Sequence, residues 1–252
     1  MEQAEYRKHF ELEESFWWFR GRREVLFGYL RQRKIPSLPL IWLDAGCGTG
    51  FNVKTFSRFG DVVGCDFSVD ALRFCRQRGL RNIARADVRQ LPFSDSSFDA
   101  VSFLDVLYHK AIRDDVAVLK EANRALKPGG LLLIADSAFA CLRGRHDLAV
   151  HGRERYRKKT LVPRLESAGF DVLRTGYFNF FLFPVLFLVR LAERMRSAGR
   201  GAAESDLVPV GPFVNGLLFG ILKFEAFLSR RLNLPWGSSI VCLARKNQSI
   251  LL

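Results

Sequence analysis

The sequence predicts an α/β protein of Rossmann-like type, an open and mostly parallel sheet wound with helices, and three observations support this. A glycine turn, Gly46-Cys47-Gly48-Thr49-Gly50, stands between an apolar run ending in Leu43-Asp44 and a helix-like segment. Further short apolar runs, two of them ending in an aspartate, have the length of buried strands. Helix-compatible stretches alternate with these runs as far as Leu131-Leu132-Leu133-Ile134-Ala135.

Ahead of the first strand, residues 11–33 are helix-compatible, with Phe16, Trp17, Phe19, Val25, Leu26 and Leu30 giving apolar faces between basic residues. At the turn, Gly46, Gly48 and Gly50 can adopt positive φ and leave no Cβ between backbone and ligand, while Asp44 supplies a fixed acceptor for a cation or hydroxyl. A dinucleotide fingerprint would place its third glycine where Phe51 stands, which speaks against a nicotinamide cofactor. The second strand, Val62-Val63-Gly64-Cys65-Asp66, ends in a carboxylate suited to a ribose diol. The third, Ile83-Ala84-Arg85-Ala86-Asp87, ends in an acid able to accept from an adenine amine, and Leu91-Pro92-Phe93 follows. Phe98 to Leu104 is the fourth strand; after a helix-like stretch, the turn Leu126-Lys127-Pro128-Gly129-Gly130 introduces the fifth.

Together these residues resemble the class I S-adenosylmethionine-dependent methyltransferases, particularly the branch that methylates small molecules and lipids, including quinone precursors, over roughly Leu43 to Arg245. The resemblance implies a sheet of order 3-2-1-4-5-7-6 with strand 7 antiparallel, and S-adenosylmethionine as cofactor. It places Asp44, Gly46, Gly48 and Gly50 under the methionine and ribose, Asp66 with neighbouring Phe67 at the ribose, Asp87 with the Val88 backbone at adenine, and Asp105 at the cleft. An N-terminal helical lid over residues 1–38 would bring Trp18, Arg20 or Arg22 to the methionine carboxylate or the substrate. A helix packed on the sheet edge with solvated arginines is the competing reading.

Length and composition suit one large α/β domain carrying additions. The five cysteines lack paired spacing and read as reduced thiols, and Met1-Glu2-Gln3-Ala4-Glu5 has no apolar core or cleavage site, so a cytoplasmic protein is expected.

Ligands of open α/β sheets sit beyond the carboxyl ends of the strands, which directs attention to Asp105-Val106-Leu107-Tyr108-His109 and to 143–151. Methyl transfer from a sulfonium is an in-line displacement that usually requires removal of one proton from the acceptor. His109, His146 and His151 are candidate general bases, Asp105 or Asp147 candidates to orient an imidazole, and Tyr108 or Tyr156 candidates to hydrogen-bond the substrate. For each histidine alone, a structural hydrogen-bonded role competes. Some relatives are thought to bind a divalent ion through two acids and a histidine after strand four. Here Tyr108 stands at the second acid, and His146, Asp147 and His151 lack zinc spacing, so no metal is expected.

The formal charge is +13, densest between Arg143 and Arg164, where Arg153 and Tyr156 are candidates to hold an anionic acceptor. Nucleic acid is disfavoured: Leu104-Asp105-Val106-Leu107 lacks the Asn/Asp-Pro-Pro-aromatic stretch of base amino-methyltransferases, and no cysteine nucleophile motif is apparent.

Phe170 to Tyr177 and Ser238 to Arg245 resemble strands six and seven, which frames the core as 39–177 plus 236–248. Between them lie about sixty residues, 178–235, far longer than an ordinary loop. This insert opens on the apolar run 178–189, interrupted by Asn179 and Pro184 and followed by Arg190, Arg194 and Arg196. That run is shorter than the ~20 residues of a membrane-spanning helix. After a polar linker, 197–206, a second apolar helix is expected over Pro212 to Arg231, with Gly216 and Gly220 permitting close contact in a helical hairpin. The insert reads as a lid over a hydrophobic substrate or as a patch dipping into the inner face of the membrane; a pair buried on the sheet or in a homodimer competes. The expected activity is methylation, preferably on oxygen, of a small hydrophobic or lipid-linked, anionic acceptor. The alternatives are an RNA methyltransferase and a membrane-associated cofactor-binding protein without turnover.

Overall fold

The computed structural model describes residues 3–31, 39–196 and 205–247. Its strands are β1 (Leu40–Ala45), β2 (Gly60–Asp66), β3 (Ile83–Arg85), β4 (Phe98–Leu104), β5 (Leu126–Ser137), β6 (Phe170–Phe178) and β7 (Ser239–Lys246). They form one sheet in the order 3-2-1-4-5-7-6, with β7 antiparallel to both β5 and β6, as the sequence led us to expect. Strand alternation explains the two cores. Leu43 and Ala45 of β1 point to one face of the sheet, Leu40 and Trp42 to the other. The first face is covered by α5 (Asp115–Ala125) and α7 (Lys158–Ser167) through Val118, Leu119, Leu161 and Leu165. The second is covered by α2 (Trp17–Arg31), α3 (Phe51–Phe56) and α4 (Val69–Gln77), where Trp42 stacks on Phe56 with ring centres 4.5 Å apart.

Three elements differ from expectation. The helix expected over 11–33 is two helices, α1 (Gln3–Leu12) and α2, and its expected last residues lie outside the described residues. The break is stabilised from outside the helix: Arg23 donates to the carbonyls of Glu13 (2.6 Å) and Glu14 (3.2 Å), and Asn215 accepts from the backbone N–H of Trp17 at 2.8 Å. Val25, Leu26 and Leu30 make α2 part of the core, so it is α1 that approaches the cleft most fully. The turn expected at Leu126–Gly130 lies within β5 as an irregularity, the pairing jumping from Phe98 with Leu126 to Ala100 with Leu131. Finally, the insert forms α8 (Phe183–Arg196) and α9 (Pro212–Leu228), which do not pack as a hairpin. Nothing lies within 4 Å of a Cβ at Gly216 or Gly220. Instead α9 turns Leu222, Glu225 and Ala226 onto α2 and β6, and the small residue permitting the approach is Gly21 of α2. Residues 197–204 of the expected linker, residues 32–38 at the expected lid boundary, and residue 248 lie outside the described residues.

A Cβ at Gly21 would stand 2.3 Å from Leu222 Cδ1 and 2.5 Å from its Cβ, so a side chain cannot be accommodated by rotamer change alone. We expect Gly21→Ala to destabilise the protein by about 1–3 kcal/mol. Adding Leu222→Ala should cost much less in that background than the ~2–5 kcal/mol expected for Leu222→Ala alone. Thermal and denaturant unfolding of the single and double variants checks both expectations.

Candidate active site

The turn after β1 owes its shape to left-handed backbone, with φ of 79° at Gly46 and 56° at Gly48. A Cβ at Gly46 would meet Val106 Cγ2 at 2.5 Å, whereas one at Gly48 would have nothing within 4 Å, because Gly48 faces the cleft. The Asp66 carboxylate fixes this turn by accepting from Gly48 N–H at 2.9 Å, and it accepts from Ser68 N–H at 2.8 Å. The Ser68 hydroxyl in turn caps α4, accepting from Ala71 N–H at 3.4 Å. Burial raises the Asp66 pKa, and these backbone donors pull against the rise.

Asp44 lies deeper. It is 1% exposed; Oδ1 accepts from Ser102 Oγ at 2.6 Å and Oδ2 has no partner. Burial pushes its pKa up to about 7, with the Ser102 bond and the Arg22 charge opposing. Arg22, also buried, pairs with Asp105 and leaves its own Nε without a partner. An acceptor and a donor are thus orphaned beside the same turn, the complement of an α-amino acid.

In front of the turn lies a cleft of about 550 Å³, within the ~300–1,000 Å³ of ordinary ligand pockets; Arg22 lines it, whereas Asp44 lies behind the turn and does not. Gly46, Gly48, Asp66, Phe67, Asp87 and Val88 line it from the sheet side; Tyr6 and His9 of α1, Glu13 just after it and Arg22 of α2 close it from the other. Asp87 is held by Arg89, side chain and backbone, and the Arg89 bond keeps its carboxyl below the usual range. Gly50 does not line the cleft; it caps the start of α3.

An inner cavity of about 170 Å³ adjoins the cleft through the shared walls His9, Asp105, Tyr108 and Val150. Trp17, Trp18, Leu142 and Leu186 give it an apolar side, and Asp105, His146, Arg155, Arg190 and Asp206 a polar one; it has room for a group the size of a benzene ring, which fits a cavity of ~150 Å³. Asn179, 1% exposed, lines it; its Nδ2 donates to Ser238 Oγ at 2.7 Å and its Oδ1 has no partner. Its φ of 61° is the left-handed conformation asparagine tolerates best after glycine.

The histidines are divided between the two spaces. His109 and His151 line the cleft and His146 the inner cavity. His109 Nδ1 accepts from Ala111 N–H at 3.2 Å, and His146 Nδ1 from Asp206 N–H at 3.3 Å. When neutral, both therefore carry the proton on Nε2 and act there as donors, unlike the proton acceptors expected from sequence. Burial lowers the pKa of each, that of His109 to about 4. His9, which sequence reasoning passed over, faces both spaces with Nδ1 3.9 Å from Glu13 Oε1. The available signal was the i, i+4 spacing of His9 and Glu13 on a helix. Asn179, read as an interruption of an apolar run, was passed over in the same way.

The basic run is largely satisfied internally. Buried Asp115 accepts from Tyr156 Oη at 2.9 Å and pairs with Arg153 and Arg164. Neither Tyr156 nor Arg153 lines either cavity. Asp147, expected to orient an imidazole, binds Arg155 through both oxygens (2.8 and 3.0 Å). Burial raises its pKa, but the guanidinium more than offsets this and leaves it below the usual range. Tyr108 is buried, and burial holds its phenol well above the ordinary value. Trp18 lines the inner cavity, whereas Arg20 lies over the Phe219 ring, 3.8 Å from its centre, and lines neither space. Among the described residues no group of three or more His, Cys, Asp or Glu side chains could hold a metal ion.

For His109 we expect a neutral imidazole throughout the physiological range, with an NMR titration midpoint near pH 4. The unfolded state titrates near 6.5, so this residue's contribution is complete above that pH and stability falls as pH drops from 6.5 towards 4. His109→Asn should remove that imidazole signal and flatten the corresponding part of the stability curve.

A family model described as a methyltransferase domain matches residues 43–134. An Encephalitozoon cuniculi protein named as a methyltransferase is 38% identical over 166 residues, covering 58% of this chain and 77% of that one. The human protein named probable tRNA methyltransferase 9B is 36% identical over 107 residues, 42% of this chain; the chain thus spans 22% of that relative's length. A solved S-adenosylmethionine-dependent methyltransferase from Mesorhizobium loti shares the fold at 17% identity, with a TM-score of 0.58 over 88% of this chain and 98% of that one. With the orphaned Asp44 and Arg22 atoms, the open glycine turn and the acids at the strand tips fitting S-adenosylmethionine, the chain belongs to the class I S-adenosylmethionine-dependent methyltransferases.

Proposed function

We propose that the chain is a cytoplasmic enzyme that methylates an oxygen of a small hydrophobic or lipid-linked, anionic acceptor. The observation that supports this best is the ring-sized cavity, walled on one side by Trp17 and Trp18, that adjoins the cofactor cleft through His9, Asp105 and Tyr108. When bound, S-adenosylmethionine supplies a methyl group activated by a positively charged sulfur. Asp44 Oδ2 would hold the α-amino group and Arg22 Nε the carboxylate; Asp66 keeps lone pairs for the ribose hydroxyls, and Phe67, Asp87 and Val88 border the adenine position.

On the acceptor side, Trp17 and Trp18 would sandwich or edge a ring, and Asn179 Oδ1 would accept from a hydroxyl on it. His9 would take the proton, with Glu13 favouring the tautomer that leaves Nε2 free to accept it. The formal charge of +13 supports an anionic acceptor. Together these groups align the acceptor and exclude water from the transfer.

A second reading, RNA as acceptor, is favoured by the likeness to the human tRNA methyltransferase relative. Methyl-labelled cofactor incubated in parallel with total lipid extract and total RNA separates the readings. We expect labelled product in the lipid fraction; label in RNA would overturn that choice of acceptor, and tight cofactor binding with label in neither would favour a binding protein without turnover.

Two further outcomes follow from the site. Because Asp44 must ionise to meet a cation and its pKa is about 7, cofactor affinity should fall by up to about tenfold per pH unit below 7 and level off above it. Calorimetry across that range should show the slope, and Asp44→Asn should flatten it while weakening binding. His9→Gln should lower turnover by about 10²–10⁴-fold and change the cofactor Kd little; unchanged turnover would remove His9 from the role.

A further inference from the structure

The insert helices turn outward side chains that a folded domain normally buries. On α9 the face opposite Leu222, Glu225 and Ala226 carries Phe213, Leu217, Gly220, Phe224 and Phe227, one continuous helical stripe, and Phe213 is 83% exposed. On α8, Leu186 and Arg190 face the inner cavity while Val185, Leu188 and Met195 project the other way, with Met195 80% exposed. The two stripes meet where Phe181, just ahead of α8, stacks on Phe224 with ring centres 6.1 Å apart, and Phe180 stacks on Trp236 at 4.9 Å beside it. These ring contacts link the two stripes, whereas scattered surface hydrophobes stand alone.

Its charge selects the occupant. The one carboxylate of α9, Glu225, is buried and accepts from Phe180 and Phe181 N–H, so the outward face of α9 carries no negative charge. Exposed Lys223, Arg230 and Arg231 flank or end the stripe, the Arg230 guanidinium lying 5.9 Å from the Phe227 ring centre. A second copy would set like-charged rims and two chains of formal charge +13 against each other. An apolar centre with a cationic margin instead matches acyl chains beneath anionic headgroups. Among the described residues no helix is long and apolar enough to cross a membrane.

We propose that the outward stripes of α8 and α9 dock this protein on the surface of an anionic lipid bilayer, lying in its interface without crossing it. The docking does not depend on which acceptor is methylated. It would set α8 between the bilayer and the inner cavity, with Leu186 and Arg190 on one side of the helix and lipid on the other.

Flotation of the full chain with phosphatidylcholine vesicles, with and without phosphatidylglycerol, tests this. We expect at least about tenfold stronger partitioning onto the anionic vesicles, weakened by salt, with Lys223→Gln and Arg231→Gln each lowering it by about fivefold. Phe213→Ser with Leu217→Ser should abolish it while S-adenosylhomocysteine binding by calorimetry stays unchanged, showing an intact fold and cofactor site. Wild-type protein that ignores both vesicle types, or binding insensitive to the Phe213 and Leu217 changes, would overturn the proposal. So would a dimer in lipid-free buffer that those changes dissolve. Loss of cofactor binding in the wild type would instead count against the methyltransferase site and leave the vesicle result to be judged separately.

Discussion

The site depends on one carboxylate holding a backbone turn open. Asp66, at the tip of β2, accepts from Gly48 N–H and from Ser68 N–H, so it sets both the left-handed path after β1 and the start of α4. Neighbouring parallel strands β1 and β2 make that geometry available, since their register brings Ala45 opposite Cys65 and places the tips side by side. Burial raises the Asp66 pKa and the backbone donors oppose the rise. Asp44, with an unpartnered oxygen, is less well compensated, which is why its ionisation is pushed towards neutrality. A ligand cation beside it would relieve a cost already present in the folded protein.

The second cavity follows from the N-terminal segment. Glu13, buried, is bound by Thr49 of the turn and by Arg78 at 2.9 Å, which anchors the end of α1 to the glycine-turn side of the cleft. The chain then turns through Phe16 into α2, which is committed to the sheet by Val25, Leu26 and Leu30. Arg22 and its partner Asp105 stand at the boundary between the two spaces, with His9 and Tyr108 beside them. The separation of the large cleft from the small cavity walled by Trp17 and Trp18 thus coincides with a helix break and is not made by the sheet alone.

Much of the sheet could be read from the sequence because strand formation here is local: apolar runs, a glycine turn and acids at the strand tips all lie within a few residues of one another. The order of β7 and β6 came with the family resemblance. Partners distant in sequence were not legible. Nothing near Arg153 or Tyr156 announces that both converge on Asp115, about forty residues earlier, and the density of charge there reads as a binding surface until the pairing is seen. The same holds for α9, whose Gly216 and Gly220 suggested a close helix contact that Gly21 of α2 makes instead. His9 and Asn179 were missed because the His9–Glu13 spacing is common on helix surfaces, and a single amide in an apolar run carries no signal until a cavity forms around it.

The insert and the N-terminal helices also constrain each other. Asn215 of α9 accepts from Trp17 N–H at 2.8 Å and donates to the Ser15 carbonyl at 3.0 Å, while Ser205 binds the buried Glu5 carboxylate at 2.6 Å. Each such bond contributes only about 0.5–1.5 kcal/mol net, somewhat more where a carboxylate accepts. Side chains from both segments, Trp17 and Trp18 on one side and Leu186 and Leu207 on the other, wall the inner cavity. Separating α1 from the 205–207 segment would break the bond to the buried Glu5 carboxylate, whereas moving α9 off α2 must extract Leu222 from its seat over Gly21. The insert is thus tied to the N-terminal helices at two places, by the packing of α9 on α2 and by the buried Glu5 carboxylate of α1.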